Sequence, residues 1–503
     1  VPTYEMALAE VELATGRREA AKARLERVAV EAANVGDQAD AHTRLASLSI
    51  GENERAAARA ALKAALEADP NHTGALTMRA NLALAEDLPD QAIADLRRAT
   101  QQDPDNPAIM RLEAEAQERA GNSQIAVERL AAAAEASGYE PAYATPYAAA
   151  LVDRGQIEGA ESVLTSSAER HPGNRQILLN LAQLRIRLQR WPDVATIEQT
   201  LRAIDGGGAY ADFVAAGTDL ARGNGDDAVA RLRDLAADPA LRNQALPGLV
   251  QALVATDQTQ EAEALLTDLI EEDPGDLLVL DLMSRVRQQS GNLEGAEEKA
   301  RAMIAAEPTV PAGHLSLVQQ LMARGDMDGA ETAIQEGLEA VGPNINLRLA
   351  LARIFESRND FDAAIAIYDE VHRQTGGRST VVANNLASLL AEHHADDPEA
   401  VERALRIASR LRGETAPAFR DTYGWVLFLN GQHSQALQQL QIAVEALPDE
   451  PLVQYHLGRV YAAMEQIERA REHLETALAL DPGFPKAEST RQTLAALPEP
   501  MGQ

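Results

Sequence analysis

Residues 451–484 read PLVQYHLGRVYAAMEQIERAREHLETALALDPGF, and this stretch contains the pattern that decides the fold. Two segments with helical spacing of apolar residues are separated by a short polar turn, and Asp481-Pro482 follows the second segment. Proline cannot continue a helix and disfavours helical backbone at the preceding residue. The stretch therefore predicts two antiparallel helices that end at an Asp-Pro step.

The same pattern recurs at a step of 34 residues along most of the chain. One small residue near the start of each second segment marks the step, and it forms the following column: Ala58, Ala92, Ala126, Ala160, Val194, Ala228, Ala262, Ala296, Ala330 and Ala364. A larger side chain at this position would push the two helices of a copy apart. The column therefore predicts stacked helical hairpins, because one hairpin alone cannot bury both of its faces.

Further copies extend the count to fourteen, with small residues at Ala21, Ala404, Ala436 and Ala470. The step lengthens before Ala58 and before Ala404, and we assign the second change to an inserted turn at residues 393–398. We therefore predict three parts, which are an N-terminal array of about eleven repeats in residues 1–375, a C-terminal array of about three repeats in residues 376–483, and a capping helix with a tail in residues 484–503.

Composition excludes several classes of function. The formal net charge of −31 argues against nucleic-acid binding and against docking on anionic lipid, because both need clustered Lys and Arg. The chain has no Cys, which excludes disulfides, Cys-ligated zinc and a cysteine nucleophile. No apolar run is long enough to span a bilayer. The acidic surplus is either a solubility device or a surface that recruits a basic partner.

No motif in the sequence predicts catalysis, a cofactor or a metal site. The chain lacks a phosphate-binding loop that ends in Gly-Lys-Ser/Thr, a His-Glu-x-x-His pair and a Gly-x-Ser-x-Gly elbow. His393 and His394 stand beside Asp396 and Asp397, but we interpret this group as a solvated turn, since helical ligand pairs prefer a spacing of four residues. We therefore predict that these residues do not form an enzyme.

The columns resemble the tetratricopeptide repeat family. The last full copy carries the family's characteristic residues at Leu457, Gly458, Tyr461, Ala470, Leu474, Ala477 and Pro482. Early copies have Ala where the family has Gly in the first helix, and the family's Trp near the start of that helix is missing. The resemblance implies an all-α fold, a right-handed α-solenoid superhelix of about fourteen helical hairpins with a C-terminal capping helix.

In related repeats, a fixed set of first-helix positions lines the concave surface. Carried onto this chain, the resemblance implies a partner-binding groove that includes Gln183, Arg187, Arg353, Asn384, Asp421, Trp425, Phe428, Tyr455 and Arg459. Aromatic residues with Arg are typical of interface hot spots, and they cluster here in a chain that is only 3% aromatic. The alternative is that these aromatic side chains pack in the core.

The C-terminal stretch also resembles large bacterial envelope proteins of this family, on the residues Asn384-Asn385-Leu386-Ala387, residues 421–427 and Tyr455-His456-Leu457-Gly458. Those relatives include lipoproteins associated with exopolysaccharide export and with surface-protein sorting. The resemblance implies a periplasmic scaffold that binds a protein or peptide segment, with a lipid anchor upstream of Val1. The alternatives are a cytoplasmic adaptor and the recognition module of an enzyme whose catalytic domain lies upstream. The partner's identity, glycan binding and the oligomeric state stay open.

Overall fold

The computed structural model describes residues 2–52, 54–86 and 88–498. Within these residues, the regular structure consists of twenty-nine α-helices and one short 3-10 helix, with no strand. The all-α prediction is therefore confirmed. None of the helices in these ranges has the length and apolar character needed to cross a membrane.

The helices alternate as first and second members of fourteen hairpins, and a last helix follows them. The first eight hairpins consist of α1 Pro2–Ala14, α2 Arg18–Glu31, α3 Val35–Gly51, α4 Arg55–Ala68, α5 Thr73–Ala85, α6 Pro89–Gln102, α7 Pro107–Arg119, α8 Ser123–Ala136, α9 Pro141–Asp153, α10 Ile157–Arg170, α11 Arg175–Arg187, α12 Trp191–Ala203, α13 Gly208–Ala221, α14 Gly225–Ala236, α15 Arg242–Ala255 and α16 Thr259–Glu272.

The remaining elements are α17 Leu277–Gln289, α18 Leu293–Ala306, α19 Pro311–Ala323, α20 Met327–Val341, α21 Ile345–Ser357, α22 Phe361–Gln374, α23 Thr380–His393, α24 Pro398–Ala408, the 3-10 helix Ser409–Leu411, α25 Pro417–Leu429, α26 His433–Ala446, α27 Pro451–Ala463, α28 Ile467–Leu480 and α29 Ala487–Ala496. The predicted insertion thus forms the turn between α23 and α24. In contrast, the longer step before Ala58 accompanies a seventeen-residue α3 that includes residues 35–37.

Most hairpins turn through the same backbone conformation. The residue that follows the first helix has a positive φ, which is 73° at Gly121 and 81° at Gly291. Glycine adopts this conformation without a Cβ penalty, and it commonly ends helices in this way. Gln189 and Glu465 occupy the corresponding positions at 56° and 58°. The turn column in the sequence therefore reflects a backbone requirement that other residues meet at some cost.

The Asp-Pro steps end second helices as predicted. The residue before the proline is extended, with φ and ψ of −132° and 99° at Asp69, −136° and 95° at Asp273, and −145° and 103° at Asp481. Each of these three residues directly follows the last residue of its helix. The proline ring excludes helical backbone at this point, so the chain leaves the helix and enters the next hairpin.

Small residues hold the two helices of each hairpin together. Ala58, Ala160, Ala296 and Ala470 on the second helices are fully buried. In the last hairpin a Cβ on Gly458 would lie only 2.7 Å from Cγ of Leu474, so α27 and α28 approach more closely than an alanine would allow. The core is therefore a row of thin layers, in which each layer is closed by side chains of the adjacent hairpin.

The chain forms two compact units. One unit, which we call unit 1, contains the residues up to Tyr139 together with those from His372 onward, and unit 2 contains residues 140–371. Within each unit successive hairpins stack in chain order. The predicted division at residues 375 and 483 is a division of the repeat array along the sequence, and it stays a prediction.

Unit 1 brings together two segments that are far apart in the chain. A Cβ on Gly121 would lie 2.0 Å from the carbonyl oxygen of Ser409, and a Cβ on Gly413 would lie 2.0 Å from Oγ of Ser123. The turn between α7 and α8 therefore lies directly against the segment that follows α24. Both glycines are needed for this approach, and the repeat pattern alone does not predict it.

Candidate functional site

The first helices of successive hairpins form one continuous surface within each unit, which we call the first-helix face. Helices α11 and α13 contact each other, as do α17 and α19 in unit 2 and α23 and α25 in unit 1. Consecutive second helices contact each other less. Because the hairpins are closer together on the first-helix side, each stack curves toward that side.

An aromatic cluster lies on this face at the C-terminal end of unit 1. Trp425 and Phe428 of α25 stack with ring centroids 5.1 Å apart, and Tyr455 of α27 lies 5.8 Å from Trp425. The guanidinium of Arg459 lies over the rings of Phe428 and Tyr455 at 5.9 Å and 5.5 Å. Residues four apart share one face of a helix, which explains why Tyr455 and Arg459 meet the same neighbours.

A buried network of charged groups lies beneath this cluster and links three first helices. His456 of α27 is 2% exposed, and its two ring nitrogens lie 2.9 Å from Oδ1 of Asp421 in α25 and 2.9 Å from Oε1 of Glu392 in α23. Nζ of Lys486 lies 2.8 Å from the other carboxylate oxygen of Glu392. The ring of Trp425 stacks on the imidazole at 4.2 Å. We call Glu392, Asp421, His456 and Lys486 the charge network.

The charge network stabilises the protonated form of its histidine. Burial alone would lower the pKa of His456, but the carboxylates of Asp421 and Glu392 outweigh burial and raise the pKa to about 9. Burial would likewise raise the pKa of Glu392, but the charges and hydrogen bonds of His456 and Lys486 lower it to about 2. At neutral pH the network therefore contains two carboxylates and two cations, and both imidazole nitrogens donate hydrogen bonds.

Residues after α28 cover the end of this surface. Phe484 packs edge-on against Tyr455 with ring centroids 6.1 Å apart, and the Tyr455 hydroxyl lies 3.0 Å from Oγ of Ser489 in α29. Lys486, which binds Glu392, immediately precedes α29. Helix α29 is thus attached to the first-helix face through the same cluster that joins the last three hairpins.

The predicted groove residues fall into two groups. Gln183, Arg187 and Arg353 are exposed on α11 and α21, and they are available to a partner. By contrast, Asp421, Trp425 and Tyr455 are buried in contacts within the chain, while Asn384, Phe428 and Arg459 are half-buried around them. The structure brings this second group together in one cluster. Whether any of the nine residues contacts a partner stays a prediction.

Two atoms in the cluster have unused hydrogen-bonding capacity. Among the described residues, Nε1 of Trp425 and Oδ1 of Asn384 are buried and have no hydrogen-bond partner. The amide nitrogen of Asn384 donates to Oδ1 of Asn385 at 3.3 Å. The cluster therefore combines a satisfied charge network with one buried donor and one buried acceptor that remain unpaired.

Sequence reasoning missed His456, Glu392 and Lys486 as members of this site. The signal that points to His456 is its separation of 35 residues from Asp421, which is one repeat step plus one residue. Such a separation places the two side chains on adjacent first helices. Nothing comparable marks Glu392 or Lys486, which are 94 residues apart and meet only through the stacking of the hairpins.

A second feature of the first-helix face is an open groove of about 740 Å³ between α17 and α19 in unit 2. Leu278, Asp281 and Arg285 of α17 and Leu315 and Gln319 of α19 are among its lining residues. These residues occupy the same register positions that related repeats expose on the concave surface. We call this feature the α17–α19 groove.

No group of three or more metal-ligating side chains occurs in the part of the chain that the structure describes. His393 and His394 lie at the end of α23 and at the start of the turn that follows it. Neither the charge network nor the α17–α19 groove contains a nucleophile paired with a base. The chemistry that both features offer is hydrogen bonding, ion pairing and apolar contact.

Comparisons with known proteins identify the repeat. Family models described as tetratricopeptide repeat match residues 43–107, 77–141, 219–286, 315–379 and 427–494, and together these ranges cover more than half of the chain. The TPR repeat-containing protein YpiA of Bacillus subtilis is 24% identical over 245 residues, which are 47% of this chain and 55% of YpiA. The match thus spans about half the length of that curated relative.

Solved structures show more distant similarity. The crystal structure of the APC/C hetero-tetramer Cut9–Hcn1 contains a chain that is 12% identical, with a TM-score of 0.39 and coverage of 91% of this chain and 96% of that one. Yeast Tom70 is 14% identical, with a TM-score of 0.34 and coverage of 85% of this chain and 96% of Tom70.

Proposed function

Because the chain belongs to the tetratricopeptide repeat family, we propose that it is a non-catalytic scaffold that binds a segment of a partner protein along its first-helix face. The observation that carries the proposal is the contrast along that face between side chains used within the chain and side chains left open. Gln183, Arg187 and Arg353 are exposed there, and the α17–α19 groove lies on the same surface. A long surface with repeated open positions suits an elongated segment better than a compact ligand.

Photo-crosslinking along the face tests this function. A crosslinking amino acid is placed in the full chain at Gln183 or Arg353 on first helices, and at the exposed Thr196 or Gln335 on second helices. We expect a discrete adduct from the first-helix positions and none from the second-helix positions after irradiation with extracts of the source cells. Adducts that form equally at all four positions, or only at the second-helix positions, would contradict the proposal.

We further propose that the scaffold acts in the bacterial cell envelope, where it assists assembly or secretion. The absence of Cys supports this location, because an unpaired thiol is a liability in an oxidising compartment. Fractionation of cells that express the gene with a C-terminal tag tests the location. Recovery with envelope or periplasmic markers is expected, whereas recovery with cytosolic markers would favour a cytoplasmic adaptor and would contradict this proposal.

A further inference from the structure

Glutamine side chains line one end of the α17–α19 groove. Gln288 and Gln289 end α17, and Gln319 and Gln320 lie on α19 beside them. The amide nitrogens of Gln319 and Gln320 both lie 3.3 Å from Oε1 of Gln288, so that one oxygen accepts two weak hydrogen bonds. These amides form a small set of donors and acceptors without net charge.

One of these amides is incomplete. Gln320 is only 1% exposed, and its Oε1 has no hydrogen-bond partner among the described residues. A buried acceptor that stays unpaired costs free energy, and most buried polar groups in folded proteins are paired. Since Gln320 lines the groove, a ligand in the groove can supply the missing donor.

The rest of the groove defines the chemistry of that ligand. Leu278 and Leu315 offer apolar contact, and Asp281 pairs with Arg285 at 2.7 Å, so the two charges neutralise each other. The groove is thus locally neutral in a chain with a formal charge of −31. A charged segment would find no unpaired counter-charge here, and a carboxylate would be repelled by the free oxygen of Gln320. No aromatic residue is among the lining residues to stack on a sugar ring.

We propose that the α17–α19 groove binds an extended, uncharged peptide segment through its backbone. An N–H group of the segment donates to Oε1 of Gln320, a carbonyl of the segment accepts from the exposed amide of Gln289, and small apolar side chains contact Leu278 and Leu315. A peptide backbone alternates donors and acceptors, as amide side chains do, so the match needs no particular sequence. This inference rests on the proposed scaffold function and assigns a ligand class to one place on the face.

Selected peptides test the proposal on the full chain. A display library of random twelve-residue peptides is selected against the protein, and the enriched peptide is synthesised and titrated by calorimetry. We expect an uncharged peptide whose affinity falls at least tenfold for Gln320→Met, because that change removes the acceptor and keeps the side-chain volume. Gln335→Met is the matched control, since Gln335 is exposed on the second helix α20 and lies outside the groove.

A modified peptide separates backbone recognition from side-chain recognition. N-methylation of the peptide bond that donates to Gln320 is expected to weaken binding to the wild-type protein at least tenfold. The same N-methylation is expected to change binding to Gln320→Met much less, because the acceptor is already absent. Equal losses with both proteins would overturn the proposed contact.

Other outcomes would also overturn the inference. These are selection of no peptide, an enriched peptide that binds Gln320→Met with wild-type affinity, an enriched peptide whose charges carry the binding, and binding of dextran or β-glucan oligosaccharides that displaces the peptide. If peptides bind with Gln320→Met unchanged and crosslink elsewhere on the first-helix face, this site is wrong and the scaffold function stands. If neither peptides nor first-helix crosslinks are found, both proposals are wrong.

Discussion

The α17–α19 groove and the C-terminal cluster occupy the same face of the same repeat, but they use it differently. In the C-terminal cluster, groove-facing positions hold Asp421, Trp425 and Tyr455, which contact side chains of adjacent hairpins and are buried. In the α17–α19 groove the side chains leave an open volume and a buried oxygen without a partner. One repeat face can therefore either join hairpins or remain available to a ligand, and the side chains decide which.

The interior of the hairpins differs between the two regions as well. Ser284 of α17 occupies the position that Gly458 occupies in α27, and its hydroxyl donates to the carbonyl of Ala296 in α18 at 3.0 Å. Gly458 instead lets Leu474 approach to a distance that no Cβ would allow. The C-terminal hairpin is thus the closer-packed of the two, and it is also the one whose face is used internally.

The largest expected effect is the loss of the histidine from the charge network. His456→Leu leaves the buried carboxylates of Asp421 and Glu392 without their shared cation, and removing one partner from a buried ion pair costs about 3–5 kcal/mol. Urea unfolding followed by the fluorescence of Trp425, in a Trp191→Phe background, measures the change. His171→Leu in unit 2 is the control and should cost much less. A loss below about 1 kcal/mol would mean that the network does not hold the last hairpins together.

A smaller effect is expected from exchanging the interior residue of the two regions. Gly458→Ser places a Cβ about 2.7 Å from Cγ of Leu474 and 3.2 Å from the Leu474 backbone nitrogen, so α27 and α28 must separate. Overpacking of this kind costs about 1–3 kcal/mol. The control is Gly483→Ser just after α28, where the nearest atom is a carboxylate oxygen of Asp481 at 3.5 Å. Equal stability of the two variants in urea unfolding would show that the close approach at Gly458 is unimportant.

The C-terminal cluster should also respond to alkaline pH, whereas the neutral groove should not. The pKa of His456 is raised from 6.5 to about 9, so its contribution to stability is complete below pH 6.5 and is lost as the pH rises through about 9. The unfolding midpoint reported by Trp425 should therefore fall across this range. In His456→Gln that part of the pH dependence should disappear, and an unchanged pH profile would contradict the assignment.

The smallest expected effect is that of Gln320→Met on the unliganded protein. Because the Gln320 oxygen has no partner and the remaining hydrogen bond to Gln288 is long, the change in the free energy of unfolding should stay within about 1 kcal/mol of zero. Thermal unfolding followed by circular dichroism measures it. A large destabilisation would mean that the groove is a structural element, as the C-terminal cluster is, and would remove the contrast between the two regions.

Much of the fold could be predicted because its signals are local. The Asp-Pro steps at Asp69 and Asp273 end helices through the backbone of two consecutive residues, and the buried Ala column sets the contact inside one hairpin. The candidate site could be predicted only in part. Register placed Trp425 and Tyr455 on first helices, but their burial depends on His456, Phe484 and each other.

The sequence by itself determined that the chain folds as fourteen helical hairpins, since each hairpin is specified by residues within one step of 34. Only the tertiary structure decided that Lys486 and Glu392 form an ion pair across 94 residues, and that the α7–α8 turn lies against the segment after α24. The physical reason is distance along the chain. A repeated pattern fixes contacts within one copy and with its neighbour, but ion pairs and close approaches between distant copies depend on how the copies stack.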